Sequence, residues 1–157
     1  MEKRAILLGM MASCAITSVA LAADPIGEWL VAERTARISI ADCGGVLWGI
    51  VSWEADAGGV DDKNPDTAKR SRPILGMPVL LEMKVSGTNQ WAGQIYNSEN
   101  GKIYSGGLTL VSPDVLRVRG CVLIILCGGE NWTRAALTAA DRKLPEGAAC
   151  SQRNASQ

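Results

Sequence analysis

Histidine and phenylalanine are both absent from this 157-residue chain. Without histidine, the chain cannot form a Ser-His-Asp triad, a Cys-His pair or a zinc site with imidazole ligands. It also lacks the paired Cys-x-x-Cys spacing of a zinc knuckle and a glycine-rich phosphate loop ahead of a helix. We therefore predict that the protein is not an enzyme, and we expect no metal and no cofactor.

An excess of positive charge is also missing. The chain has 16 acidic and 16 basic residues and no lysine- or arginine-rich run. A balanced charge gives no electrostatic footprint for nucleic acid or an anionic membrane. Nucleic acid is therefore excluded as a partner.

The first 22 residues have the organisation of an export signal. A basic Lys3-Arg4 start precedes an apolar run over residues 5–19, and Ala20-Leu21-Ala22 is a small-x-small cleavage box. The run is short for a membrane span and no stop-transfer pattern follows it, so we expect no stable span after cleavage. A retained anchor and a lipoprotein signal ending at Cys14 are the alternatives. The signal predicts a periplasmic or secreted bacterial protein.

Four cysteines remain after the signal: Cys43, Cys121, Cys127 and Cys150. An even number in an exported chain favours two disulfides, and three pairings are open. Cys121 and Cys127 are close enough in sequence to join two strands across a short loop, which stabilises by about 2 kcal/mol in the chain-entropy model. Buried free thiols are the alternative.

The stretch from Trp91 to Gly120 has the clearest structural pattern. Polar and apolar residues alternate through three segments, and the turns between them are Asn97–Gly101 and Ser112–Asp114. A period of two with Asn-Gly and Pro-Asp turns predicts consecutive antiparallel strands. Similar short segments recur along the chain, so we predict about eight strands in an all-β barrel or sandwich.

A long polar loop, Glu54–Arg72, interrupts this pattern. Its acidic residues do not have EF-hand spacing, so we interpret them as a solvated cap and not a metal site. Asn64-Pro65-Asp66 predicts a capped helical turn. Lys69, Arg70 and Arg72 are interpreted as a solvated face, with pairing to the loop acids or to an anionic ligand as the alternative.

Several motifs carry a family resemblance. They are Asn64-Pro65-Asp66, Arg70-Ser71-Arg72-Pro73, Gly76, Trp91-x-Gly93-x-Ile95-Tyr96, Asn100-Gly101-Lys102-x-Tyr104, Leu116-x-Val118-x-Gly120-Cys121 and Trp132-Thr133-Arg134. In combination they resemble the bacterial domain-of-unknown-function family numbered 2147. The resemblance implies a lipocalin-like β-barrel, and we predict a single barrel domain over residues 23–135. Alanine, glutamine, serine, asparagine and charged residues dominate positions 136–157, which predicts a flexible tail with a short helix at 138–143. The resemblance implies no agreed activity.

One position departs from the family pattern. Trp48 stands where a second cysteine is usual after Cys43. This departure argues against a local disulfide and leaves Cys43 either to pair with Cys150 or to stay free.

A second likeness is to lipocalin barrels in general. Gly27-Glu28-Trp29 at the start of the first strand is similar to their Gly-x-Trp signature, and Arg134 ends the last strand. The likeness implies that Arg134 stacks on Trp29 and closes the barrel, a contact worth about 0.5–2 kcal/mol.

The strand aromatics are the candidate binding residues: Trp48, Trp53, Trp91, Tyr96 and Tyr104. They either pack in the core or line a pocket for a small apolar or amphipathic ligand, and an eight-stranded barrel is wide enough for either. We therefore expect a ligand-binding barrel. The alternative is a cell-envelope module with a filled barrel that binds a protein partner, with the Glu54–Arg72 loop as the candidate contact.

Overall fold

A computed structural model describes residues 24–122, 126–136, 144 and 147–152. Eight β-strands make up most of it, with a 3₁₀ turn at Thr67–Lys69 and a short helix α1 at Ala148–Ser151. The strands are β1 Gly27–Leu30, β2 Ala36–Asp42, β3 Leu47–Glu54, β4 Pro78–Gly87, β5 Gln90–Asn97, β6 Lys102–Ser112, β7 Val115–Val122 and β8 Leu126–Arg134.

The strands form a closed antiparallel barrel. Each strand pairs with the next along the chain, and β8 closes the barrel on β1 with Arg134 opposite Trp29. The pairing of β5 with β6 runs without a bulge from Gln90–Thr109 to Asn97–Lys102. The predicted all-β, eight-stranded, lipocalin-like barrel is therefore confirmed.

Alternation along the strands sorts side chains between the barrel interior and its outer face. In β6, Leu108 and Leu110 are buried in the interior, whereas Ile103 and Val111 are 56% and 60% exposed on the outside. Twelve buried apolar side chains occupy the interior: Trp29, Ile38, Ile40, Leu47, Val51, Leu80, Met83, Leu108, Leu110, Leu116, Val118 and Trp132. Each such side chain, fully buried, contributes about 1.5–3 kcal/mol, so this cluster is the main source of stability.

Trp29 and Arg134 contact each other at the end of the barrel near the start of β1. The Arg134 guanidinium lies 4.3 Å from the centroid of the fully buried Trp29 ring. The guanidinium also donates hydrogen bonds to the carbonyls of Pro113, Ile26 and Asp24. Gly27, at φ +119°, lies directly beneath it, and a Cβ there would be 3.1 Å from Nη1 of Arg134. Gly27 and Trp29 on β1 and Arg134 on β8 thus connect the first strand of the barrel to the last.

Two disulfides connect the described cysteines. Cys121 and Cys127 face each other across the β7–β8 hairpin, in register as cross-strand partners. Cys43 is bonded to Cys150, 107 residues later in the chain. Within residues 136–157, which are predicted to be a flexible tail, this bond attaches residues 147–152 to the barrel.

The attached segment covers apolar surface. Ala149 of α1 packs with Trp48 and Ile50 from the outer face of β3, and all three side chains are buried. The predicted export signal, residues 1–22, and the predicted helix at 138–143 lie outside the described residues. No helix in the described part of the chain has the length and apolar character needed to cross a membrane.

Candidate functional site

The candidate site is a groove on the outside of the barrel, which we call the loop pocket. It lies between the β3–β4 loop and the outer face of β4, β5 and β6, with a volume of about 340 Å³. The loop contributes Asn64, Pro65, Asp66, Lys69 and Arg72; the barrel and the β5–β6 turn contribute Pro78, Leu81, Tyr96, Gly101 and Ile103. This volume falls within the range of small-molecule sites.

Strand alternation explains the floor of the loop pocket. Leu80 is buried in the barrel core, so its neighbour Leu81 points outward. Tyr96 on β5 lies opposite Ile103 on β6, and both are on the same outer side. The floor is therefore a small apolar patch on the outer face of the sheet.

A buried carboxylate anchors the loop over this floor. Asp61 is fully buried, and its Oδ1 accepts a 2.6 Å hydrogen bond from the Tyr96 hydroxyl. Its Oδ2 accepts from Asn64 Nδ2 and from Arg72 Nη2, both at 2.7 Å. Because every oxygen of the carboxylate has a partner, the charge is compensated in spite of burial.

The loop backbone is held by further contacts of the same residues. Asn64 is 5% exposed, and its backbone carbonyl accepts a hydrogen bond from Arg70 Nε. Asp66 is the N-cap of the predicted helical turn and accepts from the Ala68 amide at 3.0 Å. The prediction of a capped turn at this position is confirmed.

Gly101 sets the distance between the loop and the β5–β6 turn. It has φ +66°, which glycine adopts without strain, and a Cβ built on it would lie 1.9 Å from the Lys63 carbonyl oxygen. Only a residue without a side chain therefore allows this approach. The Asn-Gly turn therefore reverses the chain and also forms one wall of the loop pocket.

The Asp61 network shifts two pKa values. For Asp61, burial raises the pKa, but the hydrogen bonds from Tyr96, Asn64 and Arg72, with the Arg72 charge, outweigh burial, and the pKa falls below its usual 3.8. For Tyr96, burial and then the hydrogen bond and charge of Asp61 raise the pKa to about 12. At neutral pH the pair is thus a charged acceptor and a neutral donor.

A second shifted carboxyl lies at Glu130 on β8, opposite the core residue Val118. It accepts a hydrogen bond from Trp132 Nε1. Burial raises the pKa of Glu130, and the nearby Glu33 carboxyl adds to the rise, against the Trp132 hydrogen bond. The interior side of the barrel therefore holds a carboxyl group of raised pKa beside Trp132.

The five predicted binding aromatics do not come together. Only Tyr96 lines the loop pocket. Trp48 is buried under α1, and Trp91 is half-buried against the barrel core. Tyr104 accepts a hydrogen bond from Asn100 at the β5–β6 turn.

Trp53 is displaced by a bulge. The β2–β3 register shifts so that Arg37 faces Trp53 while Ile38 faces Val51, and Ser52 is skipped in the cross-strand register. Trp53 therefore lies beside Arg37, whose guanidinium is 5.2 Å from the ring centroid, and it is not part of the barrel core cluster.

The buried polar residues of the site were not predicted from the sequence. The loop acids were interpreted as solvated, yet Asp61 is fully buried and Asn64 nearly so. The interpretation of Arg72 as part of a solvated face was wrong, and the alternative of pairing with a loop acid was right. The available signal was the set of motifs that carried the family resemblance, since Asn64, Arg72, Tyr96 and Gly101 all belong to them.

Comparison with known proteins gives a family and a fold. Residues 27–134 match the family described as an uncharacterized protein conserved in bacteria, DUF2147. A solved structure, Protein HP1028 from the human pathogen Helicobacter pylori, described as belonging to the lipocalin family, is similar with a TM-score of 0.70. The similarity covers 83% of this chain and 97% of that one at 17% sequence identity, so it bears on the fold alone. No curated protein matches the chain.

Proposed function

We propose a function for this chain, which belongs to the bacterial family DUF2147: it is an exported, non-catalytic barrel that binds one small amphipathic molecule in the loop pocket. The observation that carries the proposal is the open groove on the outer wall of the barrel. The barrel interior holds twelve buried apolar side chains, whereas a groove of about 340 Å³ lies open on the outer wall. We therefore place the proposed ligand site on the outer face of the barrel.

The chemistry of the loop pocket supports an amphipathic ligand. Leu81, Pro78 and the exposed Ile103 offer apolar contact, and the loop side carries Lys69 and Asp66. A molecule with an apolar body on the floor and a polar group toward the loop satisfies both surfaces. Small-molecule sites are typically lined by apolar side chains together with a small number of convergent polar groups.

Preorganisation supports binding as well. The Asp61 network fixes the β3–β4 loop to Tyr96 through hydrogen bonds of 2.6–2.7 Å. A loop that is held in place before the ligand binds loses little conformational entropy on binding.

Export and a periplasmic or secreted location are part of the proposal. Two disulfides suit an oxidising compartment, and the sequence predicts a signal over residues 1–22. Edman sequencing of the protein recovered from a bacterial periplasm tests this directly. An N-terminus at residue 23 or 24 is expected, and an uncleaved N-terminus in the membrane fraction contradicts export.

Native mass spectrometry of the exported protein, followed by solvent extraction, tests the binding function. The expected result is a reproducible extra mass that extracts as one small molecule. A bare mass, with no binding when the protein is offered a panel of amphipathic molecules, contradicts the proposal.

A second candidate function is a protein-interaction module of the cell envelope. It is favoured by exposed apolar side chains outside the loop pocket, of which Val85 at 71% and Leu126 at 69% are the most exposed. Crosslinking in the periplasm discriminates the two functions. A discrete crosslinked partner that is lost on Val85→Glu or Leu126→Glu supports the interaction module, and a carrier gives none.

A further inference from the structure

A second groove on the barrel lies along the outer face of β5, β6 and β7. Its volume is about 290 Å³, and Gln90, Thr109, Arg117 and Arg119 line it together with Ser86 and Gly107. It shares no residue with the loop pocket. It is therefore a separate site, independent of the function proposed above.

Arg117 and Arg119 point out of the barrel together. They alternate along β7 with Leu116 and Val118, which are buried in the interior. Residues two apart on a strand are about 7 Å apart and share one face. Both guanidinium groups can therefore reach the same bound group.

The positive charge of this pair has no counterpart in its surroundings. Arg117 lies between Thr109 on β6 and Asn131 on β8, and Arg119 lies between Gly107 and Gly129. All four cross-strand neighbours are neutral, although an acid opposite an arginine is the usual stabilising pair in a sheet. Within the described residues neither guanidinium has a hydrogen bond or an ion pair, and the lining of the groove contains no acid.

The nearest charges on the adjoining strand do not supply the missing acid. On β4, Glu82 forms an exposed ion pair with Lys84, at 3.8 Å between Nζ and Oε2. Lys84 is in turn the cross-strand partner of Ala92, which is the partner of Gly107. The row from Arg119 through Gly107 and Ala92 to Lys84 thus has small residues in the middle and a cation at each end.

The outer face of the sheet is open at Gly107, beside the two arginines. At Gly107 a Cβ would contact only the Trp91 carbonyl oxygen, at 3.4 Å, so the backbone there faces the groove without a side chain. Gln90, Thr109 and Ser86 add neutral side-chain donors around that floor. An anion can therefore approach the sheet closely between the two arginines and the polar groups.

We propose that this groove binds a phosphate monoester. Two uncompensated guanidinium groups match the charge of about −1.5 to −2 on a phosphate monoester, whereas a carboxylate carries one charge. Arginine also presents paired N–H groups that suit phosphate oxygens. The phosphate belongs either to a free metabolite or to a lipid headgroup such as that of phosphatidic acid.

Calorimetric titration of the mature protein with phenyl phosphate and with benzoate tests the ligand class. At about pH 8 the phosphate carries close to two negative charges and the carboxylate one. We expect phenyl phosphate to bind and benzoate to bind at least tenfold more weakly. Equal affinities, or no binding of phenyl phosphate at millimolar concentration, overturn the proposal.

Paired variants test the location. Arg117→Gln with Arg119→Gln removes two positive charges from the groove; Lys63→Gln with Lys102→Gln removes two from exposed positions outside it. The expected result is at least a tenfold loss of phenyl phosphate affinity in the arginine variant and less than a twofold change in the lysine variant. An equal loss in both, with melting temperatures unchanged, indicates general charge attraction and overturns the site.

Vesicles containing phosphatidic acid distinguish the two sources of the phosphate. Arginine-dependent cosedimentation with these vesicles identifies a headgroup site. Binding of phenyl phosphate without cosedimentation identifies a site for a soluble phosphate ester. If neither probe binds in an arginine-dependent way, the groove is not a phosphate site.

Discussion

The hydroxyl of Tyr96 donates a 2.6 Å hydrogen bond to Oδ1 of Asp61, a residue 35 positions earlier in the chain. This bond joins a barrel strand to the β3–β4 loop. Because Asp61 is fully buried and also binds Arg72, the loop is attached to the barrel at a charged point that water does not reach. The shape of the loop pocket depends on this attachment.

The Asp61 network should contribute measurably to stability. Asp61→Ala leaves the Arg72 guanidinium without its partner, so we expect the free energy of unfolding to fall by about 3 kcal/mol. Tyr96→Phe should cost about 1–2 kcal/mol, and the double variant should cost at least ~1 kcal/mol less than the sum. Denaturant unfolding measures all three. The control is Asp62→Ala, at an exposed neighbouring residue, which should change the free energy of unfolding by less than about 0.5 kcal/mol. If the effects of Asp61→Ala and Tyr96→Phe are additive, the two residues are not directly coupled.

Gly101 gives a test of the close contact between turn and loop. Gly101→Ala meets the Lys63 carbonyl oxygen, whereas Gly44→Ala, at a similar positive φ, meets nothing within 4 Å. Both variants carry the left-handed strain of about 1–2 kcal/mol, and the contact should cost Gly101→Ala a further ~1–3 kcal/mol. Equal losses of unfolding free energy in the two variants contradict the contact.

Titration of Tyr96 tests the electrostatics of the network. In a Tyr104→Phe background Tyr96 is the only tyrosine, so phenolate absorbance reports it alone. We expect a midpoint near a pKa of about 12, and Asp61→Asn should lower it because the charge and its hydrogen bond are removed. A midpoint at the ordinary value of about 10 in both proteins contradicts the network.

The same shift fixes the sign of an alkaline pH effect. The folded pKa of Tyr96 lies near 12, and the unfolded value is about 10. Between these values the unfolded chain loses its proton first, so stability should fall as pH rises through this window, by about 2–3 kcal/mol in total. Tyr96→Phe should remove this dependence. The lowered pKa of Asp61 has an effect at acid pH. The contribution of Asp61 to the free energy of unfolding is present above about pH 4 and is lost as pH falls through the folded pKa.

Much of the barrel could be predicted from the sequence because strand alternation is local. The pattern of β6 places Leu108 and Leu110 on one face and Ile103 and Val111 on the other, and the structure separates them in the same way. The face of Trp53 could not be predicted, since the bulge at Ser52 shifts the register by one residue and leaves no mark in a period-two pattern.

The site was less predictable for a related reason. A buried Asp61 looks like any loop acid until a tyrosine far along the chain is brought to it by the β5 strand. Composition argues for a solvated loop, because charged residues are rarely buried without a partner and the partner is not visible locally. The five strand aromatics were grouped because they share a chemistry, but strand alternation separates them among the core, the space under α1 and the outer wall.

The two disulfides should differ in their contribution to stability. In the chain-entropy model Cys43–Cys150, which closes a loop of 107 residues, is worth about 4–5 kcal/mol, and Cys121–Cys127 about 2 kcal/mol. Unfolding of the Cys43→Ser, Cys150→Ser protein and of the Cys121→Ser, Cys127→Ser protein measures the difference. The first variant should also expose Trp48, seen as a red shift of tryptophan emission, because α1 is no longer attached. A larger loss from the second variant contradicts the model.

The most direct test of the account is to place the bound molecule. Ile103 and Val111 lie on the outer face of the same strand, β6, and are 56% and 60% exposed, but only Ile103 lines the loop pocket. Ile103→Glu and Val111→Glu therefore place the same charge at matched positions inside and outside the site. Native mass spectrometry of the exported proteins should find the extra mass in the wild type and in Val111→Glu, and not in Ile103→Glu. An extra mass that survives Ile103→Glu undiminished contradicts a ligand in the loop pocket.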